Sequence, residues 1–197
     1  MSRRYLVLHG WESHRPREHW HWWLTEELRR RGEQVLYPQL PSPDTPSLTD
    51  WLEILRAELA QLGDGERIVV AHSMSCQLWL HAVSELSPEE RVDRVLLVAA
   101  PDPTELARHD EVLDFAITAP DPAAVARAAR TTRMVCSTND PWTPHGPPYA
   151  ELGLPVDVVE GGGHLNPDSG YGAWPAMLRW CLEVAIPVGP REPTDPR

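Results

Sequence analysis

Six short apolar runs that alternate with helical patterns for nearly the whole length point this chain to a parallel sheet wrapped in helices. The runs are Tyr5–Leu8, Val35–Tyr37, Ile68–Ala71, Val95–Ala99, Met134–Cys136 and Val156–Val159. A strand with water on one face alternates apolar and polar residues. Most of these runs are continuous instead, as strands covered on both faces must be. Between them, Leu48, Trp51, Leu52, Leu55, Leu59 and Leu62 recur at steps of three and four, one stripe of a helix entered through Ser47 and Asp50. Trp20, Trp23, Leu24 and Leu28 mark the inward face of a helix between Glu18 and Arg31. Trp174, Met177, Leu178, Cys181 and Ala185 do the same for a last helix. The segment after Ser73 is apolar nearly all round, which predicts the most buried helix. The expected fold class is α/β, with about six mostly parallel strands and helices on both faces.

The 197 residues suffice for one substantial core. No repeat or linker divides them, and the expected domain spans residues 1–186. Pro38 to Pro46 holds four prolines in nine residues and reads as an extended surface connection. From Pro187 to Arg197, four prolines and four charges with no apolar run predict a disordered tail.

A net charge of −11 argues against nucleic acid or an anionic membrane as partner, since both want a basic face. No stretch nears the ~20 apolar residues of a membrane span. Tyr5 to Leu8 is too short for the apolar core, at least ~7 residues long, of a signal peptide. A cytoplasmic location is expected. The three cysteines, Cys76, Cys136 and Cys181, sit in apolar surroundings that suit core residues better than disulfides or zinc ligands. All 18 basic residues are arginine, so a Schiff-base lysine, a P-loop lysine and a Ser–Lys dyad are excluded. No cofactor is implied, and nothing sets an oligomeric state.

Chemistry enters with an order of residues. A serine follows the third run in Ala71-His72-Ser73-Met74-Ser75. An aspartate follows the fifth in Ser137-Thr138-Asn139-Asp140-Pro141, and a histidine follows the sixth in Gly161-Gly162-Gly163-His164. Acyl transfer by a serine needs a base to take its proton and an acid to hold that base in the right tautomer. Ser73, His164 and Asp140 stand in the chain order that supplies all three. A nucleophile on a strained strand-to-helix turn needs small neighbours two before and two after. Ala71 and Ser75 are small, though not the glycines of the usual motif. Ser73 also reads as an ordinary helix N-cap. Cys76, three residues on, would lie inside the helix rather than on the exposed turn. The oxyanion donors should be the Met74 N–H and, from the loop His9-Gly10-Trp11 after the first strand, the Trp11 N–H. That loop also reads as a plain strand-ending turn.

Among nine histidines, His72 adjoins Ser73 but points the other way along a strand, which makes it a packing residue. His81, His109 and His145 have no matching turn. His14, His19 and His21 cluster near Glu18 and invite a metal reading. Residues two apart on a helix lie about 200° apart around its axis, so this spacing denies His19 and His21 a shared ligand face and leaves them as surface or loop residues. No metal site is expected. Asp157 and Asp168 are backup acids to Asp140. If the first strand is central, with the second on one side and the third on the other, the reversal opens a crevice at the strands' C-terminal ends. There Trp11 and Met74 meet.

Leu8-His9-Gly10-Trp11, Glu18-His19-Trp20, Ala71 to Ser75, Ser137 to Pro141, Gly163-His164-Leu165-Asn166 and Ser169-Gly170-Tyr171-Gly172-Ala173-Trp174-Pro175 together resemble one family. It is the small serine hydrolases of the α/β-hydrolase superfamily, of the kind of retinoblastoma-binding protein nine and its bacterial relatives. The resemblance covers residue 4 to about 185. It implies a compact six-stranded hydrolase with no lid domain, and it carries the catalytic triad onto Ser73, Asp140 and His164. The departure is at Ala71 and Ser75, where relatives often have glycine. The expected activity is hydrolysis of a small carboxylic ester, or an amide, through an acyl-enzyme. The alternative is a non-catalytic binding protein on the same scaffold. After the fourth strand only Val112, Leu113, Phe115 and Ile117 could line an acyl pocket, which predicts a preference for short acyl chains.

Overall fold

The structure, a computed structural model, describes residues 2–183 and 186–191. Ala185 of the last helical stripe and residues 192–197 of the expected tail lie outside the described residues. The six strands are β1 (Arg3–Leu8), β2 (Gln34–Leu36), β3 (Glu66–His72), β4 (Val92–Val98), β5 (Ala129–Ser137) and β6 (Val156–Val159). They form one sheet in the order β2-β1-β3-β4-β5-β6, and every pair is parallel. β1 has β2 on one side and β3 on the other, so the chain reverses direction there. Leu8 lies opposite Ala71, and His72 opposite Val98. The loops leaving β1 and β3 therefore start side by side at the C-terminal edge of the sheet.

The continuous runs are explained by two cores. Tyr5, Val7, Ile68, Val70, Leu96 and Val98 face one side and bury Trp20, Leu24 and Leu28 of α1 (Trp20–Arg30) with Trp174 and Met177 beside and within α6 (Pro175–Leu182). Leu6, Leu8, Val69, Ala71, Val95 and Leu97 face the other. There they meet α2 (Leu48–Gln61), α3 (Met74–Ala82) and α5 (Pro122–Ala128). Each fully buried Leu, Val or Trp contributes about 1.5–3 kcal/mol, so strands apolar at every position are held from both sides. α2 starts as its sequence indicates, with Ser47 Oγ accepting from the Asp50 N–H at 3.3 Å. α3 is the helix buried most completely, from Met74 through Leu80 without a break. Between β4 and α5 the chain makes only α4 (Pro103–Leu106) and a 3-10 turn over Asp110–Phe115, and no lid domain is built.

Three expectations need correction. The buried face of α1 is Trp20, His21, Leu24, Thr25 and Leu28, while Trp23 is only partly buried. The helix begins at Trp20, one residue after the extended His19, and that phase turns His21 inward. The segment Pro38 to Pro46 is irregular but more than a surface connection, because Leu40, Pro43 and Pro46 are buried. Finally, residues 187–191 pack rather than trail away. Val188 is 2% exposed and donates its N–H to Asp157 Oδ2 at 2.7 Å, and Gly189 O accepts from Trp174 Nε1 at 2.9 Å. One valine and two backbone groups with good partners suffice to order so short a stretch.

Candidate active site

β3 ends at His72 and α3 begins at Met74, so Ser73 must turn the chain within one residue. It does so at φ 56°, ψ −128°, outside the regions L residues prefer. Such a conformation costs about 1–3 kcal/mol and persists only where surroundings hold it. Ser73 N–H donates to Val98 O at 2.9 Å from β4. Ser75, fully buried, donates its hydroxyl to the carbonyl of His9 on the β1 loop. The close approach that demands a glycine falls on that loop: a Cβ on Gly10 would lie 2.8 Å from Ser73 Cβ and 3.2 Å from its Oγ. Ser75 thus uses its position to tie two loops together.

The loops after β5 and β6 bring the other two residues in. Asn139 Oδ1 accepts from the Gly163 N–H at 2.7 Å, and Thr138 Oγ1 from the Gly161 N–H at 3.0 Å. Gly163 sits at φ +55°, and a Cβ there would lie 2.2 Å from Ser169 Oγ. His164 Nε2 lies 2.9 Å from Ser73 Oγ, and its Nδ1 lies 3.0 and 2.9 Å from the two oxygens of Asp140. A carboxylate can only accept, so the proton belongs on Nδ1 and the Nε2 lone pair faces the serine hydroxyl. The Trp142 N–H donates to Asp140 Oδ1 at 2.9 Å and fixes the carboxylate in turn. The Asp140 side chain is 1% exposed and that of His164 12%. The backup acids are elsewhere: Asp157 pairs with Arg133 at 2.5 Å, and Asp168 is exposed on the rim.

The expected oxyanion donors stand beside Ser73. Among the described residues, neither the Trp11 nor the Met74 N–H donates to a protein acceptor. The loop carrying Trp11 is held from outside by the proline-rich segment, whose role its composition does not announce. The Glu12 N–H donates to Pro43 O at 2.9 Å, Trp11 Nε1 to Asp44 O at 3.2 Å, and the Leu40 N–H to His9 Nε2 at 2.9 Å. His9 Nδ1 in turn donates to Gly10 O at 2.8 Å, and burial pushes the His9 pKa down to about 4. The Trp11 ring meets His109 at 5.2 Å and Trp142 at 6.3 Å, and Trp142 lies 6.1 Å from His164. A cleft of about 570 Å³ opens over Ser73 and His164 between Trp11, Glu12, Glu18 and Asp168. Val112, Phe115 and Ile117 do not line it. They pack into the core instead, with Phe115 against Trp51 at 5.2 Å, and Leu113, also outside the cleft, is exposed. Cys76 is buried beneath the turn, its thiol pushed up by burial, and is no rival to Ser73.

The histidines depart from their expected places. His14 is exposed and pairs with Asp44 at 2.9 Å, but His19 and His21 are buried. The spacing argument against a shared face fails because His19 precedes the helix: it is the N-cap, extended at ψ 141°, and its ring folds over His21 at 4.0 Å. His72 closes the group, 5.2 Å from His19 and 5.1 Å from His21 between ring centres. Burial, then neighbouring histidines, holds His19 down at about 3 and His21 and His72 well below the usual imidazole range.

YdeN of Bacillus subtilis (strain 168), described as a hydrolase, is 26% identical over 183 residues, 90% of this chain and 93% of YdeN. The crystal structure of the ydeN gene product superposes with a TM-score of 0.75 at 22% identity, covering 90% of this chain and 95% of that one. The esterase domain of a Rhodothermus marinus protein shares the fold at TM-score 0.59 and 16% identity, over 85% of this chain and 81% of that one. The family model described as serine hydrolase matches residues 5–182. Because that match runs from β1 to the end of α6 and encloses Ser73, Asp140 and His164, the chain belongs to the serine hydrolase family, with the α/β-hydrolase fold.

Proposed function

We propose that this hydrolase cleaves small carboxylic esters, and amides less readily, through an acyl-enzyme on Ser73. The observation that carries the reading is the hydrogen-bonded chain Ser73–His164–Asp140, with Nε2 2.9 Å from the hydroxyl oxygen. Ser73 Oγ attacks the substrate carbonyl as its proton passes to His164 Nε2. The carbonyl oxygen gains the negative charge, and the Trp11 and Met74 N–H groups stabilise it. Asp140 stabilises the imidazolium. Collapse of the intermediate breaks the bond to the leaving group, which takes the proton from His164 and leaves the acyl group on Ser73. Water then repeats the sequence, giving the carboxylic acid and restoring Ser73. Three free, buried cysteines suit a reducing compartment, and we assign the protein to the cytoplasm on that ground.

A fluorophosphonate reagent tests this directly. The wild type is expected to label at Ser73 and to hydrolyse p-nitrophenyl acetate, whereas Ser73→Ala keeps its thermal melt and loses both. A wild type that neither labels nor hydrolyses any short ester would leave only the non-catalytic binding role.

A further inference from the structure

We propose that His19, His21 and His72 form a binding site for one zinc-class divalent metal ion in the wall of the cleft, next to but distinct from Ser73. One nitrogen from each of the three rings can be chosen so that all lie within 4.8 Å of one another. A triangle of that size has its centre about 2.8 Å from each nitrogen, while zinc–imidazole bonds are about 2.0–2.1 Å. An inward shift of about 0.7 Å at each nitrogen, with a turn of the stacked His19 ring that aims its lone pair at the centre, therefore closes the set around an ion. Three imidazoles and no carboxylate are a donor set for zinc, cobalt, nickel or copper rather than for magnesium or calcium.

An independent observation also points to a ligand. His21 is fully buried, and among the described residues neither of its ring nitrogens has a partner. Thr25 Oγ1, one helical turn on, and Tyr37 Oη, whose ring lies 5.8 Å from that of His21, are also buried without partners. Leaving a buried polar group unmade costs about 1–3 kcal/mol, so such a concentration of them needs a reason. A metal on His21 supplies one.

The remaining hydrogen bonds suit ligation. His72 Nε2 lies 3.1 Å from the carbonyl of His164 and donates to it, which directs the Nδ1 lone pair elsewhere. A ligand histidine commonly spends its second nitrogen on a carbonyl in this way. His19 Nδ1 accepts only a long 3.2 Å bond from the His21 N–H, which an ion can replace. His19 and His72 also line the cleft, so an ion can enter from solvent without unfolding the core.

The test uses the full chain, stripped with a chelator and titrated with zinc by calorimetry and with cobalt by visible absorption. One equivalent of each is expected, with cobalt bands of a nitrogen-ligated site and a higher thermal midpoint with zinc. His21→Phe keeps the ring volume in the core and should bind at least about 100-fold more weakly. His14→Gln, which removes an exposed histidine, and Ser73→Ala should both bind like wild type, and the latter separates this site from the ester chemistry. If His21→Phe proves unfolded, His19→Gln at the cleft wall takes its place with the same expected loss. Wild-type protein that binds no zinc, or variants at His21 or His19 that bind as tightly as wild type, would overturn the proposal.

Discussion

Gly10 is where a single methyl group decides whether the candidate site forms. A side chain there would press on Ser73 Cβ at 2.8 Å, and the loop bearing the Trp11 N–H would have to retreat. Overpacking of this kind costs about 1–3 kcal/mol. A displacement near 1 Å at a reacting centre costs about 10²-fold in rate. Gly10→Ala is thus expected to lower kcat/KM on p-nitrophenyl acetate about 10²-fold while lowering the thermal midpoint only modestly. A variant with wild-type kinetics would mean the loop does not hold the oxyanion. At Asp140 the expected effect is larger. Asp140→Asn offers His164 an amide that can present its N–H to the ring, which favours the wrong tautomer. The loss in the best-studied triad is about 10⁴-fold. If Asp140→Asn retains near-normal turnover and Asp168→Asn does not, the acid is Asp168.

The element that does most for the site without touching substrate is the segment from Pro38 to Pro46, because it clamps the β1 loop through His9. His9 accepts from the Leu40 N–H on Nε2, and that bond exists only while the imidazole is neutral. The folded His9 titrates near 4, its pKa lowered mainly by burial, against about 6.5 in an unfolded chain. The unfolded state therefore binds the extra proton first as pH falls. The stability that neutral His9 contributes is fully present above about pH 6.5 and is lost progressively down to about pH 4. Its size is on the order of 3 kcal/mol. Urea melts between pH 7.5 and 4 should show the midpoint falling through this window. Buried His19, His21 and His72, also held below the usual imidazole range, add to the fall, so His9→Gln should make that part of the curve shallower without removing it. An unchanged slope in His9→Gln would place the acid sensitivity elsewhere.

At the scale of the molecule, the absence of a lid domain bears on the acyl length that the proposed ester hydrolysis would favour. α4 and the 3-10 turn after β4 are short, and their apolar residues Val112 and Phe115 are spent on the core. The cleft keeps Trp11 as its large apolar surface and carries Glu12, Glu18 and Asp168 at its walls. A long acyl chain gains about 0.8 kcal/mol for each methylene it buries, and there is little here to bury it against. p-Nitrophenyl acetate and butyrate are expected to give higher kcat/KM than palmitate, with no activation at a lipid–water interface. A preference for palmitate would show that the cleft opens onto an apolar surface hidden in this conformation.

Apolar runs, helical stripes and the order Ser73, Asp140, His164 were legible in the sequence because each is a local pattern. Continuous hydrophobicity reports burial on both faces, and a parallel sheet delivers every strand end to one edge. The six strands, the reversal at β1, the buried α3 and the meeting of three loops follow from that. Tertiary structure decided what depends on phase and partner. The start of α1 at Trp20 turned His21 inward and set His19 against it, where a helical wheel begun a few residues earlier puts them on different faces. Pro38 to Pro46 acquired its clamping role from contacts to His9, Trp11 and Glu12, about thirty residues away in sequence. Val188 found its place because Asp157 was there to accept its N–H. Ser75 reads as an imperfect glycine until the carbonyl of His9 stands opposite it. Local pattern specifies which residues seek burial or a turn; only the packed chain specifies which polar groups meet.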